Sequence, residues 1–94
     1  MPPETICEVL PTALTIYEAR ELKARLQLLG LEARDWLLDA SGVERVDLAG
    51  LQVLLLAQRE QARKGHTLAL YQPSAAMTDA LSLLGLAAAF EPAH

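Results

Sequence analysis

The chain has 94 residues, a length that predicts one small domain, and 52% of them are hydrophobic while only 4% are aromatic. The core must therefore consist mainly of Leu, Ala, Val and Ile side chains, and this composition excludes extended disorder between the two ends. Twelve acidic residues against eight basic ones give a formal net charge of -4. The basic residues are scattered apart from Arg59, Arg63 and Lys64, so we expect no nucleic-acid-binding surface, which would concentrate positive charge.

A single cysteine, Cys7, excludes a disulfide within the chain and is typical of a reducing compartment. Cys7 has no cationic neighbour in the sequence, so we interpret it as a structural thiol. The first residues lack a basic region followed by an apolar stretch, and no signal peptide is therefore predicted. The longest apolar runs, 53–57 and 83–90, are far shorter than the ~20 residues that cross a bilayer. We expect a cytoplasmic protein without direct membrane insertion.

In the first third of the chain, the pattern predicts a strand over 5–10 and a second extended segment over 12–16. The second segment is either a hairpin partner of the first strand or the lead into a helix. Thr15 and Glu18 have the spacing of a capping box, in which a hydroxyl and a carboxylate satisfy each other's free backbone amides. The apolar face of the helix that follows consists of Ala19, Leu22, Leu26 and Leu29, and Gly30 ends it.

The remaining elements alternate between strand and helix. Residues 36–38 form an apolar run typical of a buried central strand, and 43–47 form a short connection. We predict a second helix over 49–64, a strand over 66–71 and a third helix over 74–84 that Ser74 caps. Residues 86–94 form either a short edge strand or a segment that lies over the core.

This order of elements predicts an α/β sandwich that contains a mixed, mostly parallel central sheet. We expect four to five strands and three to four helices, because helical crossovers connect parallel neighbours. No repeat, low-complexity segment or long linker divides the chain, so residues 1–94 are predicted to form one domain.

Residue patterns that carry catalysis are absent from the sequence. The five glycines are isolated, so there is no phosphate-binding loop, and His66 and His94 are far apart. A Ser-His-Asp set could be assembled from Ser41, His66 and Asp39 only on paper, since many chains contain one of each. No cluster has the spacing of metal ligands. We expect a non-enzymatic protein with no catalytic residue, metal or cofactor.

The segment 38–51, with the sequence Leu-Asp-Ala-Ser-Gly-Val-Glu-Arg-Val-Asp-Leu-Ala-Gly-Leu, resembles the core of the STAS domain, a family that includes bacterial anti-sigma-factor antagonists. Its mark is a strand and a turn followed by Asp-x-x-Gly-Leu at a helix start, here Asp47 to Leu51. The resemblance implies the sandwich described above and a protein-binding role. Residues 49–52 and the helix after them look most like small single-domain members encoded with bacterial chemotaxis or two-component systems.

In phosphorylatable members of that family, the residue after the aspartate is a serine or threonine that a partner kinase modifies. That position is Leu48 here, which has no hydroxyl, and neither has Ala49. The resemblance therefore implies the binding role without this switch. Ser41, in a turn near the same helix start, is the remaining weak candidate for phosphorylation. Asp47 either caps the helix or belongs to the partner surface, and both roles are compatible.

Helical spacing places one side of the second helix against the sheet and the other side in solvent. The sheet side comprises Gly50, Leu51, Val53, Leu54 and Ala57, and the far side comprises Gln52, Leu56, Arg59 and Arg63 with Leu48 and Leu55 at its margin. The predicted partner-binding residues are Asp47, Leu48, Ala49, Gly50, Gln52, Leu56 and Arg59. Exposed leucines are common on monomers, so ordinary surface residues remain the alternative.

We therefore hypothesise a regulatory binding module in bacterial signal transduction. Its partner would be an anti-sigma or kinase-like protein, a chemotaxis protein or a two-component protein, and a homodimer is also possible. Two alternatives remain open, namely a subunit of an ABC-type lipid transporter and a STAS domain that senses a small ligand. The lack of a phosphate loop and the small number of aromatics make the ligand sensor the last in rank.

Overall fold

A computed structural model describes residues 5–90 of the chain. The strands are β1 (Thr5–Val9), β2 (Ala13–Leu14), β3 (Asp35–Asp39), β4 (Arg45–Val46) and β5 (Leu68–Tyr71). The α-helices are α1 (Ala19–Leu29), α2 (Leu48–Arg63) and α3 (Ala75–Leu83), and a 3₁₀ turn follows at Ala87–Phe90. None of the helices in this part of the chain is long and apolar enough to cross a membrane.

The strands form two parallel sheets. The larger sheet has the order β1-β3-β5, with Ile6 opposite Trp36 and Trp36 opposite Leu68. The smaller sheet pairs β2 with β4, so that Leu14 lies opposite Val46. Parallel neighbours require crossovers, and α1 and α2 supply them in the larger sheet. The predicted α/β sandwich with a mostly parallel sheet is confirmed.

One face of the larger sheet carries the core. Along β3 the side chains of Trp36 and Leu38 are buried while Leu37 between them is only half-buried, because successive side chains point to opposite faces. Leu68 and Leu70 continue this buried face on β5. The helices contribute further members to the same cluster, among them Leu22, Leu26, Leu51, Leu54, Met77 and Leu81.

Two expectations for the first third of the chain are corrected. The segment 12–16 is not a hairpin partner of β1, because β2 pairs in parallel with β4, and β4 lies inside the predicted connection 43–47. The segments that carry β2 and β4 are also joined through the Thr12 carbonyl, which accepts from the backbone N–H groups of Glu44 and Arg45 at 2.7 and 3.2 Å. A strand of two residues is too short to show an alternating pattern, so the sequence gives no sign of it.

The capping box is only half formed. Oε1 of Glu18 accepts from the Thr15 backbone N–H at 3.0 Å, as the box requires. The Thr15 hydroxyl, however, donates to that same oxygen at 2.6 Å, and the Glu18 N–H bonds to the Thr15 carbonyl instead. Residues 15–18 therefore form a separate turn, and the helix begins only at Ala19.

At the other end of the chain, the structure tests only part of the prediction for residues 86–94. Residues 87–90 form the 3₁₀ turn and not an edge strand, and Phe90 is buried in the core. A large ring at that position gains more from burial than a strand edge would provide. Residues 91–94 lie outside the described part of the chain. Ser74 caps α3 as predicted, since its Oγ accepts from the Met77 N–H at 3.1 Å.

Candidate functional site

The start of α2 is tied to the end of β2 by one carboxylate. Oδ1 of Asp47 accepts from the Gly50 N–H at 3.1 Å and caps the helix, as predicted. Oδ2 accepts from the Ile16 N–H at 3.0 Å, and the Asp47 N–H donates to the Leu14 carbonyl at 3.0 Å. We call the two joined segments, residues 14–17 and 47–51, the α2 corner. Asp47 is thereby both the cap of a helix and the link between two segments.

Gly50 allows the two segments of the α2 corner to approach each other. A Cβ at this position would lie 2.1 Å from the Leu14 carbonyl oxygen and 2.5 Å from its carbon, so only glycine fits against this backbone. Gly50 is buried, although it belongs to the predicted partner-binding set. Its place against Leu14 gives it a packing role, because it has no exposed side to present to another protein.

The turn at 15–18 is held by its own hydrogen bonds. The two bonds from Thr15 also keep the pKa of Glu18 below its ordinary value, with the bond from the hydroxyl as the larger cause and the bond from the backbone N–H as the next. The Tyr17 N–H donates to the Thr15 hydroxyl at 3.2 Å, and the Ile16 N–H donates to Asp47. The backbone that carries Ile16 and Tyr17 is therefore fixed from both sides.

Large apolar side chains nevertheless face solvent on the α2 corner. Ile16 is 65% exposed, Tyr17 is 88% exposed and Leu48 is 50% exposed. The hydrogen bond from the Ile16 N–H to the Asp47 carboxylate brings Ile16 close to the residue that precedes Leu48. Ile16 and Tyr17 were absent from the predicted set because they stand inside the capping-box pattern, which suggests a structural role. The available signal was their size, since two large apolar residues are unusual inside such a turn.

The rest of the predicted set follows the exposed side of α2. Gln52, Leu56 and Arg59 are exposed, and Leu56 retains 54% of its surface. Ala49 is half-buried. Leu56 and Arg59 lie about two to three turns beyond Leu48, where they line a groove between α1 and α2. The predicted set therefore spans two places, the α2 corner and this groove.

The structure also adds one polar residue of α2 that the sequence pattern did not single out. Gln61 is 2% exposed, and its Nε2 donates to the carbonyls of Arg34 and Thr67 at 2.7 and 3.1 Å. These bonds join α2 to the segments that lead into β3 and β5. Gln61 is therefore a structural residue of the core.

The three residues of the hypothetical catalytic set are not brought together. Oδ1 of Asp39 accepts from the hydroxyl and the backbone N–H of Ser41 at 2.6 and 2.9 Å, at the carboxyl end of β3. His66 precedes β5, and its Nδ1 lies 3.3 Å from Asp35 at the opposite end of β3. Hydrogen bonds from Ser41 lower the pKa of Asp39, the hydroxyl more than the N–H. Within residues 5–90, no group of three His, Cys, Asp or Glu side chains could hold a metal ion.

Comparison with known proteins matches a family model to the part of the chain that contains the α2 corner. The sequence model of the family described as "Mlab, STAS domain" matches residues 9–91. This match covers most of the chain and includes both segments of the α2 corner. No curated protein matches the chain.

Proposed function

Since the chain belongs to the STAS domain family, we propose that it is a non-enzymatic regulatory module that binds another protein through the α2 corner. Family membership supports a module of the anti-sigma-factor-antagonist type. The finer part of the proposal concerns the binding surface and its switch, and it rests on the residues of the α2 corner.

The observation that carries the proposal is an exposed apolar surface on a fixed backbone. Ile16, Tyr17 and Leu48 leave large apolar surfaces in solvent, although hydrogen bonds to Thr15 and Asp47 fix the segments that carry them. An ordered binding surface loses little conformational entropy when a partner docks. Tyr is also among the residue types that contribute most to the binding free energy of interfaces. These features support the α2 corner as the centre of an interface.

The switch used by phosphorylatable relatives has no acceptor here. Leu48 occupies the position of the modified hydroxyl, so we propose that the module stays in its unmodified binding state. The cap also disfavours an anion at this helix start, because the Asp47 carboxylate already occupies the Gly50 N–H. Ser41 is a poor substitute, since its hydroxyl is engaged by Asp39 and a phosphate there would face that carboxylate.

The proposed partner is a signalling protein of the kinase-like anti-sigma, chemotaxis or two-component class in a bacterial cytoplasm. The experiment captures binding proteins from the source cell on the tagged chain, identifies them by mass spectrometry and measures the affinity of the reconstituted pair. Capture of a transporter ATPase subunit would favour the alternative of a lipid-transporter component. Size measurement of the chain alone shows whether the surface is covered by a second copy.

Variants of the α2 corner test the surface with the identified partner. Leu48→Asp and Tyr17→Ser should each weaken binding about tenfold or more, because both remove exposed apolar area from the centre of the interface. Leu48→Asp leaves the fold intact, since an acidic residue is favourable in the first turn of a helix. Leu83→Ser serves as control, because Leu83 is 86% exposed at the end of α3. Wild-type affinity in both Leu48→Asp and Tyr17→Ser would refute the proposed surface.

A further inference from the structure

A groove of about 550 Å³ runs between α1 and α2 on the core-bearing face of the sheet. Its apolar lining includes Leu26 from α1, Val53 and Ala57 from α2, and Trp36 from β3. Val53 and Ala57 are only half-buried because the two helices do not close over them. This volume lies within the range of sites for small molecules, roughly 300–1,000 Å³, which are mostly apolar with a few polar groups.

Trp36 supplies a polar group without a partner. The side chain is 3% exposed, and its indole Nε1 is buried with no hydrogen-bond acceptor among the described residues. A buried donor without an acceptor costs free energy, so an oxygen atom at this place would be bound favourably. The groove is therefore lined by a residue whose indole N–H donor is unsatisfied within residues 5–90.

Positive charge surrounds the same groove. Lys23 from α1 and Arg59 from α2 line it, and neither forms an ion pair with another residue in the range 5–90. Lys64 also lines it, and its Nζ donates to the Gly30 carbonyl at 3.1 Å. The acidic residue of the lining, Glu60, is bound by Arg63 at 2.7 Å. Two cations from facing helices are thus available to an anion.

We propose that this groove binds a small organic anion with an apolar body, such as an aryl or alkyl carboxylate. The apolar body of the ligand packs on Leu26, Val53 and Ala57. Its negative charge pairs with Lys23 and Arg59. One of its oxygens accepts from the indole N–H of Trp36. This binding site goes beyond the proposed function, because it requires neither a protein partner nor the exposed residues of the α2 corner.

The single tryptophan of the chain makes the site directly observable. The ¹⁵N-labelled protein is titrated with 1-naphthylacetate, and the one indole N–H signal in the spectrum reports on Trp36. We expect a saturable shift of that signal together with shifts of the groove residues. The neutral control is 1-naphthylacetamide, which has the same apolar body and a carbonyl oxygen but no charge, and we expect it to bind about fivefold more weakly.

Charge variants test the second part of the proposal. The double substitution Lys23→Gln/Arg59→Gln should weaken naphthylacetate about fivefold and leave naphthylacetamide unchanged. The matched control is Arg20→Gln/Arg45→Gln, which removes two exposed cations outside the groove and should leave both affinities unchanged. All four positions are exposed, so the fold is expected to tolerate both pairs of changes.

Three results would overturn the proposal. The first is the absence of any saturable shift of the indole signal, which would leave water as the acceptor for Trp36. The second is equal affinity for the charged and the neutral probe, which would indicate a merely apolar cleft that suits a side chain of another protein. The third is equal weakening by both double variants, which would assign the effect to net charge and not to the groove.

Discussion

At the scale of single residues, Gly50 has the strictest requirement in the α2 corner. In Gly50→Ala the new methyl group would lie 2.1 Å from the Leu14 carbonyl oxygen, so β2 and α2 must move apart. Such overpacking costs about 1–3 kcal/mol. A clash with backbone atoms cannot be relieved by rotating a side chain, so we expect the upper part of this range, which exceeds the gain of about 1 kcal/mol from the better helix propensity of alanine. Urea unfolding should therefore show a clear loss of stability. Gly42→Ala is the matched control, since nothing lies within 4 Å of a Cβ there, and equal stability of the two variants would contradict the close approach.

Asp47 combines two hydrogen bonds that can be removed in steps. Asp47→Ala loses the cap on Gly50 and the bond to Ile16, and we expect it to lower the free energy of unfolding by about 1–2 kcal/mol. Asp47→Asn retains one acceptor oxygen for the cap but turns a donor toward the Ile16 N–H, so its loss should be intermediate.

The same pair of variants tests whether Asp47 also orders residues 15–18. Asp47→Asn should leave residues 15–18 less well ordered, which amide hydrogen exchange at Ile16 and Tyr17 would detect as faster exchange. Unchanged exchange at both residues in both variants would show that Asp47 is only a helix cap.

Ser41 influences the ionisation of its neighbour Asp39. Its hydroxyl and N–H both stabilise the charged carboxylate, which lowers the pKa of Asp39. In Ser41→Ala the hydroxyl bond is lost while the N–H bond remains, so the pKa of Asp39 should rise toward its ordinary value of 3.8 without reaching it. The measurement is an NMR titration of the Asp39 side-chain carbon. A pKa that is unchanged in Ser41→Ala would show that the backbone N–H alone sets it.

At the scale of elements, Gln61 connects α2 to the sheet. Gln61→Met keeps much of the side-chain volume but removes the amide donor. The Arg34 carbonyl then loses its partner, while the Thr67 carbonyl still accepts from the backbone N–H of Trp36. The Arg34 carbonyl is only part-buried, so its loss of a partner should cost about 1 kcal/mol, which we expect as the loss of stability in thermal or urea unfolding. Gln52→Met on the exposed side of the same helix is the control and should be nearly neutral. A neutral Gln61→Met would mean that water replaces the amide.

The order and type of the long elements follow from the sequence, while the short contacts do not. Helical periodicity predicts α2 over 49–64 and the structure has it at Leu48–Arg63, because Asp47 and Gly65 mark its ends locally. The pairing of β2 with β4 depends on residues about 30 positions apart and involves two residues on each side, so no local pattern encodes it. Tertiary packing decides whether such short strands form and which strand each one pairs with.

Only part of the candidate site could likewise be predicted from the sequence. Asp47 and Leu48 could be predicted, since their place in the Asp-x-x-Gly-Leu segment is a matter of sequence. Ile16 and Tyr17 could not, because their proximity to Leu48 depends on a hydrogen bond between residues 16 and 47. The groove is likewise invisible in the sequence, because Lys23 and Arg59 stand on different helices and only the packing of α1 against α2 brings them to one lining.

At the scale of the whole molecule, hydrogen-bonded carboxylates determine how stability depends on acid. The pKa values of Glu18, Asp35, Asp39 and Glu60 are all lowered in the folded chain, by bonds from Thr15, Thr67, Ser41 and Arg63 respectively as the largest causes. For a lowered folded pKa, the unfolded chain binds more protons over the range between the two values. The contribution of each group is therefore complete above its ordinary value, 4.5 for Glu or 3.8 for Asp, and is lost as pH falls through the folded value.

We therefore expect the urea midpoint of the chain to fall steadily as pH decreases below these ordinary values. The net charge alone would instead predict that stability rises from neutral pH to a maximum near the isoelectric point of about 5.0, where repulsion between like charges is smallest. Asp35→Asn/Asp39→Asn should flatten the acid part of the curve, because two of the four carboxyls then cannot titrate. Glu44→Gln/Asp79→Asn, at two exposed positions, corrects for the change of two charges. A rise from neutral pH to a maximum near pH 5.0, with the same acid slope in both double variants, would show that net charge, and not these local bonds, governs the acid response.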